Sequence, residues 1–344
     1  MLKKNPYNFL KNKGILYSVI AGIAIILTLF LIFHKPLPQY YSKKDFALGT
    51  WVNVKVAGNK INSEKLADIA FDEMKRIERK FSKNIKGSVI WELNEKRSII
   101  ADKETLFLMK AAINYADLTG GAFDPAIGAL VKLWGFDDMN SPKRVPSKDE
   151  INNALKGISY KFIKIEGNKI SLLNDETMID LGGIAKGYAV DMAINKIKSL
   201  DPKATGFIDA GGDIGIIGPK FNRFPWVIGI RDPDGNPYDI KLQIYLKEGA
   251  IVTSGNYERY FEKDGVRYHH LIDPKTGYPA NFYKSVSIIS DSAMKADAMS
   301  TAIFILGDKL PDIDSMMQYD IQIYGITSDN KIIKTTGFDY YLKK

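Results

Sequence analysis

Asp297 and Thr301 lie four residues apart in the run Ser290 to Gly307, SDSAMKADAMSTAIFILG. On a helix that spacing puts a carboxylate and a hydroxyl on one face, a turn apart. Ser300 borders the same face. With a backbone carbonyl added, this is an all-oxygen set suited to Mg²⁺. Thr301 alone is more often a helix hydroxyl bonding back to a carbonyl. Asp297 is harder to explain away, because Ala296, Ala298, Ala302 and Ile303 mark a largely buried helix.

Three other segments concentrate glycines and carboxylates. In IDLGGIAKGYAVD, Ile179 to Asp191, Gly182 and Gly183 permit close backbone approach, and a helix starts with Lys186 in its first turn. Free amides at such a start, with a lysine, suit a phosphate, and close helix–strand packing is the alternative. The P-loop spacing is absent. IDAGGDIGIIG, Ile208 to Gly218, superficially suggests a dinucleotide fingerprint, but its glycines are spaced G-x-x-G-x-x-G and β-rich sequence follows. That context excludes a Rossmann site. In Gly120 to Phe136, Asp124 of Phe123-Asp124-Pro125 can accept bonds from nearby amides; taken alone, this is a plain helix stop and turn. His269 and His270 are adjacent, so in a strand only one faces a given side. His270 precedes the tight turn Asp273 to Gly277, whereas His34 sits in the amino-terminal flank.

The elements that must position these groups follow from periodicity. Val52, Val54 and Val56 alternate as in a half-buried strand. Ser63 is expected to cap a helix through Phe81, and Asp102 a second one stopped by Gly120 and Gly121. A hairpin is expected over Phe162 to Leu173, turned at Glu166-Gly167-Asn168, and helices over Gly183 to Leu200 and Ser292 to Leu306. Strands are expected at Gly206 to Asp209, Trp226 to Arg231, Ile240 to Leu246, Ala250 to Thr253, Val286 to Ser290, Ile321 to Ile326 and Lys331 to Lys334. Strands outnumber helices without strict alternation, which indicates an α+β fold, a single large mixed domain.

The chain has 344 residues, no cysteine and a net charge of +8. Disulfides, thiolate metal sites and a lipidated cysteine are excluded. Seven lysines and no acid precede Asp45, so the remainder is close to neutral and a nucleic-acid partner is not indicated. Ile15 to Phe33 is free of charge, long enough to span a bilayer, and preceded by four lysines. An uncleaved transmembrane anchor is expected there, with a cleaved signal peptide as the alternative. Either one places the body outside the cytoplasmic membrane. The expected organisation is a short cytoplasmic terminus (1–14), the anchor (15–33), an exposed spacer (34–44) and one large domain (45–344).

Together, Gly121-Ala122-Phe123-Asp124-Pro125, Asp180 to Gly187, Thr253-Ser254-Gly255, His270 to Pro274 with Thr276-Gly277, and Ala296-Asp297-Ala298 with Thr301 resemble the FAD:protein FMN transferases, the ApbE family. The resemblance runs from about Leu48 to Gly307. It implies an enzyme that uses FAD and Mg²⁺ to move FMN onto a Thr or Ser of an extracytoplasmic protein, releasing AMP. It further implies FAD contacts at Leu48, Ala122, Phe123, Asp124, Asp180, Lys186 and Leu271, and a metal between the Gly183 carbonyl, Asp297 and Thr301. Family members are often lipoproteins; here the anchor would replace the lipid. Where the family commonly has Met-Ser-x-Tyr, this chain has Phe81-Ser82-Lys83-Asn84, so Asn84 stands at an expected flavin contact. His270 is the candidate base for the acceptor hydroxyl, with Asp273 or a metal-bound carboxylate as substitutes. An FAD pyrophosphatase and a membrane-tethered, non-catalytic flavin carrier are the rival readings.

Overall fold

A computed structural model describes residues 16–25, 37–138, 140–310 and 312–342. The chain divides into two units, Met1–Gln39 and Tyr40–Lys344. In the first, residues 16–25 are helical. Among the described residues no helix is long and apolar enough to cross a membrane. Ile15 and residues 26–33 of the expected anchor, like the terminus before it, lie outside the described residues.

The second unit is built on an eight-stranded sheet in which every neighbouring pair is antiparallel. Its strands, in spatial order, are β1 (Tyr41–Ala47), β2 (Thr50–Ala57), β6 (Thr205–Ala210), β7 (Asp213–Gly218), β10 (Ala250–Gly255), β13 (Tyr283–Ser290), β14 (Ile321–Thr327) and β15 (Ile332–Lys334). Three small sheets surround it: β3 (Ser98–Ile100) with β4 (Ile163–Glu166) and β5 (Lys169–Leu172), β8 (Trp226–Arg231) with β9 (Ile240–Leu246), and β11 (Tyr260–Lys263) with β12 (Val266–His269). The helices are α1 (Ser63–Phe81), α2 (Val89–Lys96), α3 (Lys103–Leu118), α4 (Gly128–Leu133), α5 (Lys148–Leu155), α6 (Ala185–Leu200) and α7 (Ala293–Leu306). This is the expected α+β arrangement.

One face of the sheet carries the main core. Val52, Val54 and Val56 of β2 meet Leu66, Ala70 and Ile77 of α1 and Val190, Ala193 and Ile197 of α6 there. The opposite face is covered in part by the β8–β9 hairpin, through Trp226, Ile228 and Ile244 against Ile216, Ile251 and Ile289.

Several boundaries differ from the sequence expectation. Tyr41 to Lys44, expected in the spacer, begin β1, the edge strand, where Lys43 pairs with Asp68 at 2.7 Å. Lysines suit an exposed edge, because they deter further strand pairing, and this disguised the strand as linker. Helix α1 is capped by Asn62, whose side chain accepts from the Glu64 and Lys65 amides. The Ser63 hydroxyl instead accepts from the Gly58 amide at 3.1 Å. Asp102 does cap α3, accepting from Thr105 N at 2.8 Å. The β4–β5 hairpin closes on the expected turn, with Glu166 opposite Lys169.

Candidate active site

Helix α6 is packed so closely against α7 at Gly187 that a β-carbon there would stand 2.2 Å from the Ala293 carbonyl oxygen. The same absence of a side chain brings the Gly187 amide within 2.9 Å of Asp297 Oδ2. Ile184, at the amino-terminal cap of α6, supplies no side-chain bond, so Asp297 of α7 accepts an amide that the helix itself leaves unused. Asp297 is 4% exposed. Burial, then the nearby Asp213 carboxylate, raises its pKa well above the usual carboxylate range, while Lys186 and the Gly187 amide pull it back. One turn along α7, Thr301 reaches Gly183: a β-carbon on Gly183 would lie 3.4 Å from Thr301 Oγ1 and 3.3 Å from Phe123 Cε2. Gly183, Asp297 and Thr301 therefore converge.

These groups fit a hard divalent cation. A carboxylate, a hydroxyl and a peptide carbonyl are all oxygen donors, and their small number leaves places for water and phosphate oxygens. Among the described residues no three His, Cys, Asp or Glu side chains form a metal cage. Ser300 is committed elsewhere, donating to the Asp297 carbonyl at 3.0 Å and sharing a 2.8 Å bond with Ser254.

Lys186 adds the cation. Its ammonium lies 2.5 Å from Asp213 Oδ1. Asp213 is the first residue of β7, and its place follows from a two-residue turn in which Gly211 and Gly212 adopt φ of 63° and 96°. Glycine takes two such values readily, so the Gly-Gly pair makes the hairpin turn between β6 and β7.

A second group of polar residues gathers around Asp180. Its Oδ1 accepts from the Gly182 amide at 2.8 Å, and its Oδ2 lies 3.6 Å from the Lys83 ammonium. Lys83 is buried, yet its side-chain hydrogen bond is a long one, 3.5 Å to Asn84 Oδ1. Asn84 is exposed and donates through Nδ2 to the Asp137 carbonyl. Nearby, Arg259 donates to the Phe136 carbonyl. His270 Nδ1 stands 3.3 Å from the Arg259 carbonyl, with the Phe136 ring edge-on at 6.5 Å. Burial, then the Arg259 charge, push the His270 imidazole down to about 3, so it is neutral at physiological pH. His269 points the other way, against Phe304.

The remaining expected contacts are shaped by the fold. Both oxygens of Asp124 are occupied, accepting from Ala126 N at 2.8 Å and Tyr160 N at 2.9 Å, and burial raises its pKa to about 6. It thereby sets the loop that carries Ala122 and Phe123, both buried. Leu271 is buried in a second core beneath α7. Leu48 sits at φ 56° in the two-residue turn between β1 and β2. Asp273 is held by its own turn, accepting from Lys275 N at 2.8 Å, and its Oδ2 lies 3.5 Å from the Lys309 ammonium. Sequence reasoning passed over Asp213, Lys83 and Arg259. A carboxylate opening the apolar run Ile214 to Ile217 was the one available signal for Asp213.

The ApbE family model matches residues 48–319, which contain every one of these groups. An FAD:protein FMN transferase of Treponema pallidum is 34% identical over 292 residues, covering 78% of this chain and 79% of its own length. One from Vibrio cholerae is 34% identical over 283 residues, covering 80% and 84%. The crystal structure of the ApbE protein of Thermotoga maritima superposes with a TM-score of 0.85 at 44% identity, covering 89% of this chain and all of that one. Sequence match, backbone and the convergence of Gly183, Asp297 and Thr301 lead to one assignment: the chain belongs to the ApbE family.

Proposed function

We propose that this protein is a Mg²⁺-dependent FAD:protein FMN transferase that attaches FMN to a Thr or Ser of an extracytoplasmic protein. The observation that carries the reading is the meeting of Asp297, Thr301 and Gly183 at the start of α6, beside Lys186. Bound there, Mg²⁺ would neutralise pyrophosphate charge and stabilise the departing AMP. Lys186, in the first turn of α6, holds the phosphates in line with the acceptor. His270, neutral and able to accept a proton, takes it from the acceptor hydroxyl. The hydroxyl oxygen bonds to the FMN phosphorus, the bond to the AMP phosphate breaks, and AMP carries away the electron pair. Asp180, with the Lys83 ammonium 3.6 Å from its carboxylate, adds a further FAD contact. The charge-free run Ile15 to Phe33 behind four lysines supports a single-pass anchor with the body on the extracytoplasmic side.

The test is incubation of the full chain, in detergent, with FAD, Mg²⁺ and candidate extracytoplasmic proteins, followed by mass spectrometry. A covalent FMN adduct with equimolar AMP is the expected result. AMP with free FMN and no adduct would make the protein a pyrophosphatase, and no AMP at all a carrier.

The low pKa of His270 gives a further expectation. A base is active when unprotonated, so a depressed pKa keeps it active as pH falls. At saturating Mg²⁺, kcat/KM should not drop on the acid side near pH 6.5, where an ordinary histidine titrates, but only at lower pH. An acid limb near 6.5 that disappears in His270→Gln would contradict this environment for the ring.

A further inference from the structure

Asp213 has no surface exposure, and its carboxylate has one partner, the Lys186 ammonium, at 2.5 Å. Its other oxygen, Oδ2, is buried without a hydrogen bond. A carboxylate buried with half its acceptor capacity unused is costly, and a hydrophobic residue would fill the start of β7 more cheaply. Lys186, in contrast, keeps part of its side chain open, at 26% exposure. It has three donors, and Asp213 occupies one of them. We propose that Asp213 is a positioning residue: it fixes the Lys186 ammonium before substrate arrives, with its remaining donors free for the FAD pyrophosphate.

The sequence builds this pair from two rigid pieces. Lys186 is in the first turn of α6, held against α7 by Gly187. Asp213 is hydrogen-bonded into the centre of the sheet, opposite Ala210 of β6 and Val252 of β10. The preceding turn is clamped too: Asp209 Oδ1 accepts from the Gly212 amide at 3.0 Å, and Gly211 lies against Thr50 so closely that a β-carbon would stand 2.3 Å from its Oγ1. A lysine side chain left to itself samples many rotamers, and ordering it on binding would cost affinity. Asp213 meets that cost in the free protein, as preorganisation requires.

The inference rests on the proposed contact of Lys186 with the pyrophosphate, and a double-mutant cycle separates the two claims. Asp213→Asn, Lys186→Met and the double variant are compared with the parent in two measurements: FAD affinity by flavin fluorescence in Mg²⁺-free buffer, and kcat/KM for AMP release. Asp213→Asn keeps the volume of the side chain, so the melting temperature without FAD should hold. It should weaken FAD binding and lower kcat/KM by up to roughly 30-fold, the factor that the ordering cost of a fully freed lysine converts to, because the amide oxygen keeps only a weaker, uncharged bond to the ammonium. In the Lys186→Met background the same change should have almost no further effect. A purely structural role would lower the melting temperature and add its full loss in both backgrounds, and that result would overturn the proposal. Parental behaviour of Asp213→Asn would overturn it equally. If Lys186→Met itself behaves as the parent, the phosphate role of Lys186 fails and the proposal falls with it. Should Asp213→Asn fold poorly, Asp213→Ser is read in the same cycle.

Discussion

Asp297→Ala is expected to retain FAD binding within a few-fold of the parent and to lose AMP release by about a thousandfold. The proposed metal site has one carboxylate among its protein ligands, and Mg²⁺ gives up hydration waters reluctantly unless charge draws it in. In the proposed site flavin affinity is spread over other groups, from Phe123 to Asp180, and should survive. The Gly187 contact allows a sharper version. Asp297 accepts the Gly187 amide through Oδ2, so alanine removes both a metal ligand and the partner of a helix amide. Asparagine removes the charge and can still accept that bond. If the metal role dominates, Asp297→Asn is as inactive as Asp297→Ala but melts at or above the parental temperature without Mg²⁺, because burial and Asp213 already disfavour the charged carboxylate. Excess Mg²⁺ should restore little in either variant. AMP formation at the parental rate would show that the metal lies elsewhere. An active Asp297→Asn beside an inactive, unstable Asp297→Ala would reduce Asp297 to a cap for α6.

How far the site was readable in the sequence depended on the range of the signal. Asp297 and Thr301 are one helical turn apart, so periodicity alone put them on a common face, and the glycines before Lys186 marked a close approach. Asp213 was out of reach by that method. It is 27 residues from Lys186 along the chain, and only the pairing of β7 between β6 and β10 returns it to the start of α6. The Gly-Gly pair makes a two-residue hairpin turn that aims the next side chain inward, a meaning that its spacing alone does not reveal. Lys83 was hidden differently. It occupies the unspecified position of a family motif, beside Asn84, and the fold turns the asparagine outward and the lysine in. The fold class was easier, because strand count and spacing are summed over the whole chain. Its weakest point was the edge, where polar, lysine-bearing β1 resembled a linker.

Gly187→Ala is expected to damage both stability and AMP release, although it adds a single methyl group. Glycine in a helix interior ordinarily costs stability relative to alanine, so on an isolated helix the change would be favourable. Here the added carbon would lie 2.2 Å from the Ala293 carbonyl oxygen and 2.8 Å from Asp297 Cβ. Neither neighbour is the free end of a flexible side chain. One is backbone, and the other is fixed to the backbone of α7, so α6 and α7 must separate. Overpacking of this kind costs about 1–3 kcal/mol, and contact with backbone places this case at the upper end. The same separation lengthens the 2.9 Å bond from the Gly187 amide to Asp297 and draws Thr301 away from Gly183. A misplacement of about 1 Å at a reacting centre is worth roughly a hundredfold in rate. AMP release should therefore fall by about two orders of magnitude even at a temperature where the variant is fully folded, and melting curves establish that temperature. The two readouts must move together. A variant that melts lower but releases AMP at the parental rate once folded would mean that the helix crossing supports the fold without positioning the ligands, and Asp297 would then have to reach its metal from somewhere other than the α6–α7 contact.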